Sequence, residues 1–348
     1  MDRLRKCLVL SFASLALATH AFAQEQQTPG NLLGRTTRAR LEVVSGRIQL
    51  TDVRLGRRAA LTSNDPQSNV REQLLFYAES ADTARLSYLY ADQRQQLIVD
   101  VDQSADLTID QRPCGESGVP TVRLHQPRRG DMILTVEDGD LAREVTGGSI
   151  WHLMLTEPKL CNRYLVPILQ SLRSDWVLDE QAQRIEAALL AEARRGHLPD
   201  TAKMEQLVAQ LKHAEFSRRQ AADRQLRRMG HAAVGFLDRL DERTLDVEQR
   251  TRIRRIRGSL QSNAGDTPAR VALWLAEDRA VWLALLQRED IATRQLAAQH
   301  LGAIIGKPLA FTPGATAAER RGQLHRLRAE LGLDHPVVAD GSGSRLNR

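Results

Sequence analysis

The pattern of hydrophobic and polar positions changes character once along the chain. Between residues 37 and 145, apolar and polar residues alternate in short runs, which is typical of β-strands. Residues 40–61 predict a hairpin around Ser45-Gly46, and residues 63–69 predict a loop or linker. The strands that follow recur at intervals of roughly ten residues, as in a sandwich or small barrel. They are predicted at residues 74–77, 86–90, 97–101, 107–109, 121–124 and 132–136.

From residue 149 onwards the apolar positions follow the helical period instead. Ser149 is placed to cap a helix that starts at Ile150, and Pro158 suits the first turn of the next one. Ser217 and Gln220 have the spacing of a capping box. Further helices are predicted at residues 179–195, 200–213 and 216–229. The sequence therefore predicts an α+β protein, with a β-rich module at 37–145 and an all-α domain at 149–335.

One helical pattern occurs twice in the second half of the chain. Arg219, Gln220, Ala222 and Leu226 recur with the same spacing at the residues Arg294, Gln295, Ala297 and Leu301. The two copies are roughly 75 residues apart, about two helix-pair units of a helical solenoid. With the glycine and the Ala-rich helix that follow the first copy, the pattern resembles HEAT-like repeats of the bilin-lyase type, an armadillo-type fold. The resemblance implies an extended binding surface.

The N-terminus has the three parts of a secretory signal. Arg3, Arg5 and Lys6 precede an apolar run at residues 7–18, and Ala21-Phe22-Ala23 fits a cleavage site. The run is short for a helix that must span a bilayer with about 20 residues. The sequence therefore predicts a signal peptide at 1–23 and an exported, periplasmic or cell-envelope protein. A disordered leader at 24–36 and a disordered tail at 336–348 complete the predicted organisation.

Charge narrows the class of partner. The formal net charge is +6. For an exported protein, this charge favours an anionic glycan, a lipid or an acidic protein surface as the partner, and nucleic acid is excluded as a partner. Arginines crowd residues 250–257, where Arg250, Arg254 and Arg257 are candidates for an anion-binding face. The alternative is an outer helix face that only contacts solvent.

Two further groups of residues each have a structural and a functional interpretation. Cys114 and Cys161 remain after the predicted cleavage, and in an oxidising compartment such a pair is either one disulfide or two separate thiols. The second group has the 1, 3, 5, 7 spacing of a calcium loop, but it lacks the glycine and the terminal glutamate of such a loop. Its residues are Asp100, Asp102, Ser104 and Asp106.

The sequence carries no catalytic signature, and no cofactor is expected. The leading hypothesis is a non-enzymatic scaffold or protein-binding protein of the cell envelope that uses its helical repeats. One alternative is an envelope enzyme or sensor with its site in the β-rich module at 100–110. The other is a binder of anionic glycan or lipid through the arginine-rich helix.

Overall fold

An antiparallel β-region precedes a helical region, which confirms the predicted α+β class. The predicted signal peptide (1–23) and tail (336–348) lie outside the described residues. The prediction of a disordered leader is wrong at its end, because Asn31–Arg35 form a short helix, α1, that buries Leu33. The computed structural model describes residues 31–35, 40–51, 53, 57–79, 84–102, 106–196, 201–238, 240–260 and 265–333.

The first strands form the predicted hairpin. β1 (Arg40–Val44) and β2 (Arg47–Thr51) pair antiparallel and turn at Ser45 and Gly46. Both turn residues have positive φ, 53° and 71°, so the backbone here is in the left-handed region that glycine adopts readily. The hairpin is joined to the rest of the β-region through Ile48, whose backbone N–H and carbonyl both bond to the Gln126 side chain.

Eight consecutive strands form one antiparallel sheet, each paired with its neighbours in sequence. All six predicted strands are confirmed, but the predicted sandwich or barrel is wrong, because the strands form a single meander. The outermost two strands, β3 and β10, were not predicted. The strands are β3 (Arg57–Asp65), β4 (Val70–Ala78), β5 (Arg85–Ala91), β6 (Gln95–Val101), β7 (Leu107–Pro113), β8 (Thr121–Gln126), β9 (Met132–Asp138) and β10 (Leu141–Gly147).

The predicted loop at 63–69 is shorter than expected. β3 continues through Asp65, and only residues 66–69 form the turn into β4. The Asp65 side chain closes this turn by accepting hydrogen bonds from the Gln67 backbone N–H, at 3.0 Å, and from the Ser68 hydroxyl, at 2.5 Å. The polar residues that suggested a linker therefore belong to a tight hairpin turn.

One face of the sheet is buried, and the period of two in its strands explains why. In β4, Leu74, Phe76 and Ala78 are buried while Leu75 is exposed. Glu72 is also buried, and its carboxylate accepts bonds from the Tyr88 hydroxyl at 2.6 Å and from a backbone N–H of α1. The buried face and most of the helices share one continuous hydrophobic core.

The helical region starts with the predicted cap, since the Ser149 hydroxyl accepts a hydrogen bond from the His152 N–H. None of the described helices is long and apolar enough to span a membrane. The helices are α2 (Ile150–Thr156), α3 (Pro158–Leu160), a π-helical turn (Cys161–Leu165), α4 (Val166–Leu172), α5 (Leu178–Arg194), α6 (Thr201–Gln210), α7 (Phe216–Arg228), α8 (His231–Asp238), a 3-10 turn (Glu242–Thr244), α9 (Val247–Leu260), α10 (Pro268–Leu275), α11 (Arg279–Leu285), α12 (Ile291–Ile305) and α13 (Ala317–Glu330).

Helices α6 to α9 enclose a second, smaller core. Met204, Ala222, Phe236 and Ile253 contribute to it, one from each helix. The predicted capping box at Ser217 and Gln220 is wrong, because α7 begins at Phe216 and its N-cap residue makes no side-chain cap hydrogen bond.

The repeated arginine makes the same bonds in both copies of the sequence pattern. Arg219 donates to the carbonyls of His213 and Ala214, six and five residues before it. Arg294 donates to the carbonyls that stand in the same places, those of Arg288 and Glu289. Each arginine therefore holds the loop that leads into its own helix, α7 or α12. The alanine and leucine that follow it are fully buried in both copies.

The cysteines are not bridged. Cys114 and Cys161 are both free thiols, so the disulfide interpretation is wrong. Cys114 follows β7, where its N–H donates to the carbonyl of Arg94 in the β5–β6 turn. Cys161 lies in the π-helical turn and is fully buried, and this burial raises the pKa of its thiol to about 12. The two residues belong to different layers of the fold.

We predict that Gly46→Ala destabilises the protein by about 2–5 kcal/mol. The new side chain must adopt positive φ, at about 1–2 kcal/mol, and its Cβ would lie 2.5 Å from the Ser149 Cβ, an overpacking cost of about 1–3 kcal/mol. Gly139→Ala is the control, because Gly139 has φ +60° with open space around it. Urea unfolding of both variants measures the difference, and equal losses would contradict the contact.

Candidate functional site

A buried carboxylate joins three distant parts of the chain. Asp266, 8% exposed, stands just before α10. Its oxygens accept hydrogen bonds from the backbone N–H groups of Ser45 and Gly46, at 2.8 and 2.6 Å, and from the Trp151 indole N–H, at 2.7 Å. Gln181 of α5 donates to its carbonyl at 2.8 Å. Burial raises the pKa of Asp266, and the three donors to its side chain offset part of that rise.

A cleft of about 830 Å³ lies beside this carboxylate. It forms where the end of β10 meets helices α2, α8, α10, α11 and α12. Two glycines let these elements approach closely. A Cβ on Gly235 of α8 would lie 2.3 Å from the Trp274 carbonyl oxygen, and one on Gly147 would lie 2.7 Å from the His152 ring. The volume is within the range of ligand pockets, about 300–1,000 Å³.

An imidazole–carboxylate pair lines the cleft. His152 Nδ1 lies 2.8 Å from Asp278 Oδ2, and the two side chains are 15% and 19% exposed. The other oxygen of Asp278 caps α11 by accepting from the N–H groups of Ala280 and Val281. Burial by itself would lower the pKa of His152, but the charge and hydrogen bond of Asp278 outweigh it, so this pKa is raised. Among the described residues, His152 Nε2 has no hydrogen-bond partner.

The walls of the cleft divide into an apolar floor and an acidic rim. The floor includes Val234, Phe236, Trp274, Leu275 and Ile304. Besides Asp278, the rim carries the carboxylates of Asp131, Asp238 and Glu277, and among the described lining residues Arg279 is the one arginine. The cleft therefore has the opposite charge to the chain as a whole, whose net charge is +6.

The candidate calcium residues do not form a metal site in the described part of the chain. No three His, Cys, Asp or Glu side chains come together there to hold a metal ion. Asp102 instead accepts a hydrogen bond from the Asp106 N–H, and Asp106 accepts one from the Arg128 N–H. The first bond links the end of β6 to the start of β7, and the second links Asp106 to the segment between β8 and β9. Asp100 lies exposed on β6, and Ser104 lies outside the described residues.

The three candidate arginines lie on α9 and do not line the cleft, although Arg257 pairs with Asp238, which does. Arg257 pairs with Asp238 at 2.5 Å, Arg250 donates to the Asp246 carbonyl at 3.4 Å, and Arg254 is exposed. The residues of the cleft were not predicted. Asp278 could have been recognised as a helix cap from the helical run that follows it, but the partner of its second oxygen, 126 residues away, has no local signal.

We predict that Asp266→Ala destabilises the protein by about 3–5 kcal/mol. It leaves three buried N–H donors without an acceptor, and each such loss costs about 1–3 kcal/mol with partial relief by water. Urea unfolding followed by tryptophan fluorescence measures the change. Asp140→Ala removes an exposed carboxylate and is expected to stay within about 0.5 kcal/mol of the wild type. A similar small loss for Asp266→Ala would contradict the role of this carboxylate.

The raised pKa of His152 makes stability depend on pH. Because the pKa in the folded state lies above the ordinary value of 6.5, the pair contributes its full stability below pH 6.5. This contribution is lost as the pH rises through the raised pKa. We therefore expect the free energy of unfolding to decline over that interval in the wild type and not in His152→Gln. Unfolding curves across the pH series provide the measurement, and parallel profiles of the two proteins would refute the assignment.

Comparison with known proteins does not extend these observations. No family model, curated protein or solved structure matches the chain.

Proposed function

We propose that this protein is a non-enzymatic binding protein whose cleft holds a cationic, amphipathic segment of another protein. The observation that carries the proposal is the acidic rim above an apolar floor. Lysine and arginine side chains lay their apolar stems on hydrophobic surface while their charged ends reach polar groups. Leu275 and Phe236 on the floor, with Asp131 and Glu277 on the rim, offer both kinds of contact.

Electrostatics supports a cationic ligand. Opposite charges about 4 Å apart attract by ~4 kcal/mol at an effective dielectric constant of ~20, typical near a protein surface. Asp278 is already paired with His152, and Asp238 with Arg257. Asp131 makes no hydrogen bond within the described residues and stays exposed at the mouth of the cleft. It is therefore the rim carboxylate most available to a ligand.

We further propose that the helical region is built from HEAT-like repeats of the armadillo type, with an envelope protein as the partner. The matching bonds of Arg219 and Arg294 support a repeated structural unit. The predicted signal peptide at 1–23 supports export, so we place the protein in the periplasm or cell envelope. The alternative of an enzyme or sensor at residues 100–110 has less support, because the carboxylates of Asp102 and Asp106 already accept hydrogen bonds from backbone N–H groups.

The test reverses the charge of the rim. The probe is a fluorescent synthetic peptide of alternating lysine and leucine, and its affinity is measured by anisotropy. We expect Asp131→Lys to weaken binding at least about tenfold, ~1.4 kcal/mol, because it replaces attraction by repulsion at the mouth. Asp140→Lys is the matched control, since it makes the same change in net charge at the exposed β9–β10 turn.

The outcomes separate the possible ligands. Equal weakening in the two variants would show that only overall charge matters and would overturn the cleft as the site. Direct binding of spermidine in calorimetry, with no binding of the peptide, would overturn the protein segment as the ligand and indicate a small polyamine-like ligand. Failure of the wild-type protein to bind the peptide at low salt would overturn the proposal.

A further inference from the structure

Helices α7 and α9 lie side by side and run in the same direction. Near their N-termini, Arg219 contacts Glu248 at 3.5 Å. Towards their C-termini, the Arg227 guanidinium donates to the Ser259 hydroxyl. Because the second contact lies further towards the C-terminus on both helices, the two helices run parallel. The pair is about 20 Å long, at 1.5 Å per residue.

The two helices present a strongly basic outer side. Each contains five arginines and a single acidic residue, whereas the whole chain has a net charge of only +6. Their apolar residues, such as Leu226 and Ile253, face the second core. Arg224, Arg228 and Arg255 are exposed, and none of the three makes a hydrogen bond or ion pair with another described residue.

The N-terminal end of the pair adds exposed apolar surface. Phe216 is 61% exposed and Val247 is 71% exposed, each at the first residue of its helix. The guanidinium groups of Arg219 and Arg252 lie 5.6 and 5.8 Å from the centre of the Phe216 ring. These cation–π contacts hold the ring at the surface, where most of it stays exposed.

We propose that the outer side of α7 and α9 docks on an anionic phospholipid surface. Arginine binds phosphate oxygens with two parallel hydrogen bonds, which suits a layer of phosphodiester headgroups. Phe216 and Val247 enter the boundary between headgroups and acyl chains, as apolar residues of interfacial helices do. This surface is separate from the acidic cleft, and the inference does not rest on the function proposed for that cleft.

An acidic protein partner fits this side less well. Protein interfaces have their apolar residues at the centre, surrounded by a more polar rim. Here the apolar residues stand at one end, and arginines occupy the length of the pair, including Arg224 and Arg228 of α7. A charged plane with a short apolar edge is the arrangement expected for a membrane surface.

The experiment is flotation of the full chain with vesicles of phosphatidylcholine, with and without phosphatidylglycerol. The test variant is Arg224→Gln/Arg228→Gln/Arg255→Gln. Each basic residue near such a surface contributes to the free energy of binding. We therefore expect the triple variant to weaken binding about 100-fold at low salt, which corresponds to ~3 kcal/mol. Phe216→Ala tests the apolar edge, and we expect it to weaken binding about tenfold without changing the salt dependence.

The matched control is Arg123→Gln/Arg321→Gln/Arg326→Gln, which removes three exposed arginines from the sheet and from α13. All variants keep the N-terminal apolar run, so any binding through that run is common to them. Binding to phosphatidylglycerol vesicles that falls with salt, and that only the α7/α9 triple variant loses, would support the proposal. Equal losses in the two triple variants would overturn it, as would binding to polyglutamate but not to vesicles, which would indicate an acidic protein partner.

Discussion

The fold depends on one buried carboxylate. The Asp266 carboxylate accepts hydrogen bonds from the backbone of the β1–β2 hairpin, where Gly46 lies 220 residues earlier in the chain, and from the indole N–H of Trp151. A buried carboxylate is destabilising unless donors replace the water it has lost. Here the donors exist only when Ser45 and Gly46 adopt positive φ and α2 packs beside them. The carboxylate therefore holds together the hairpin, α2 and the segment before α10, and the cleft lies beside them.

The distribution of charge gives the molecule two surfaces of opposite sign. The cleft gathers carboxylates around the His152–Asp278 pair, while α7 and α9 expose Arg224, Arg228 and Arg255, which make no ion pair with another described residue. Asp238 and Arg257 connect the two regions, because the first lines the cleft and the second belongs to α9. A protein anchored by its basic side at a membrane would keep its acidic cleft available for a cationic partner. The two proposals are thus compatible, although each rests on its own observations.

The residues of the repeated sequence pattern have the same structural roles in both copies. An alanine and a leucine in each copy are buried, as a packed helix requires. The arginine donates hydrogen bonds to backbone carbonyl groups of the loop before the helix. In the second copy Arg294 additionally donates to the Pro313 carbonyl, so it also holds the segment before α13. The same arrangement of arginine, alanine and leucine thus occurs in two different surroundings.

Local patterns determined the positions of most elements, because they depend on neighbours in sequence. Alternation located β4 to β9, and the helical period with Ser149 located α2. Tertiary structure alone decided that the strands form one sheet, that Cys114 and Cys161 stay apart, and that His152 meets Asp278. Strand order and long-range pairs leave no local signal, because they depend on which surfaces can be buried together. The cleft with its His152–Asp278 pair therefore forms only where segments more than a hundred residues apart in sequence pack against each other.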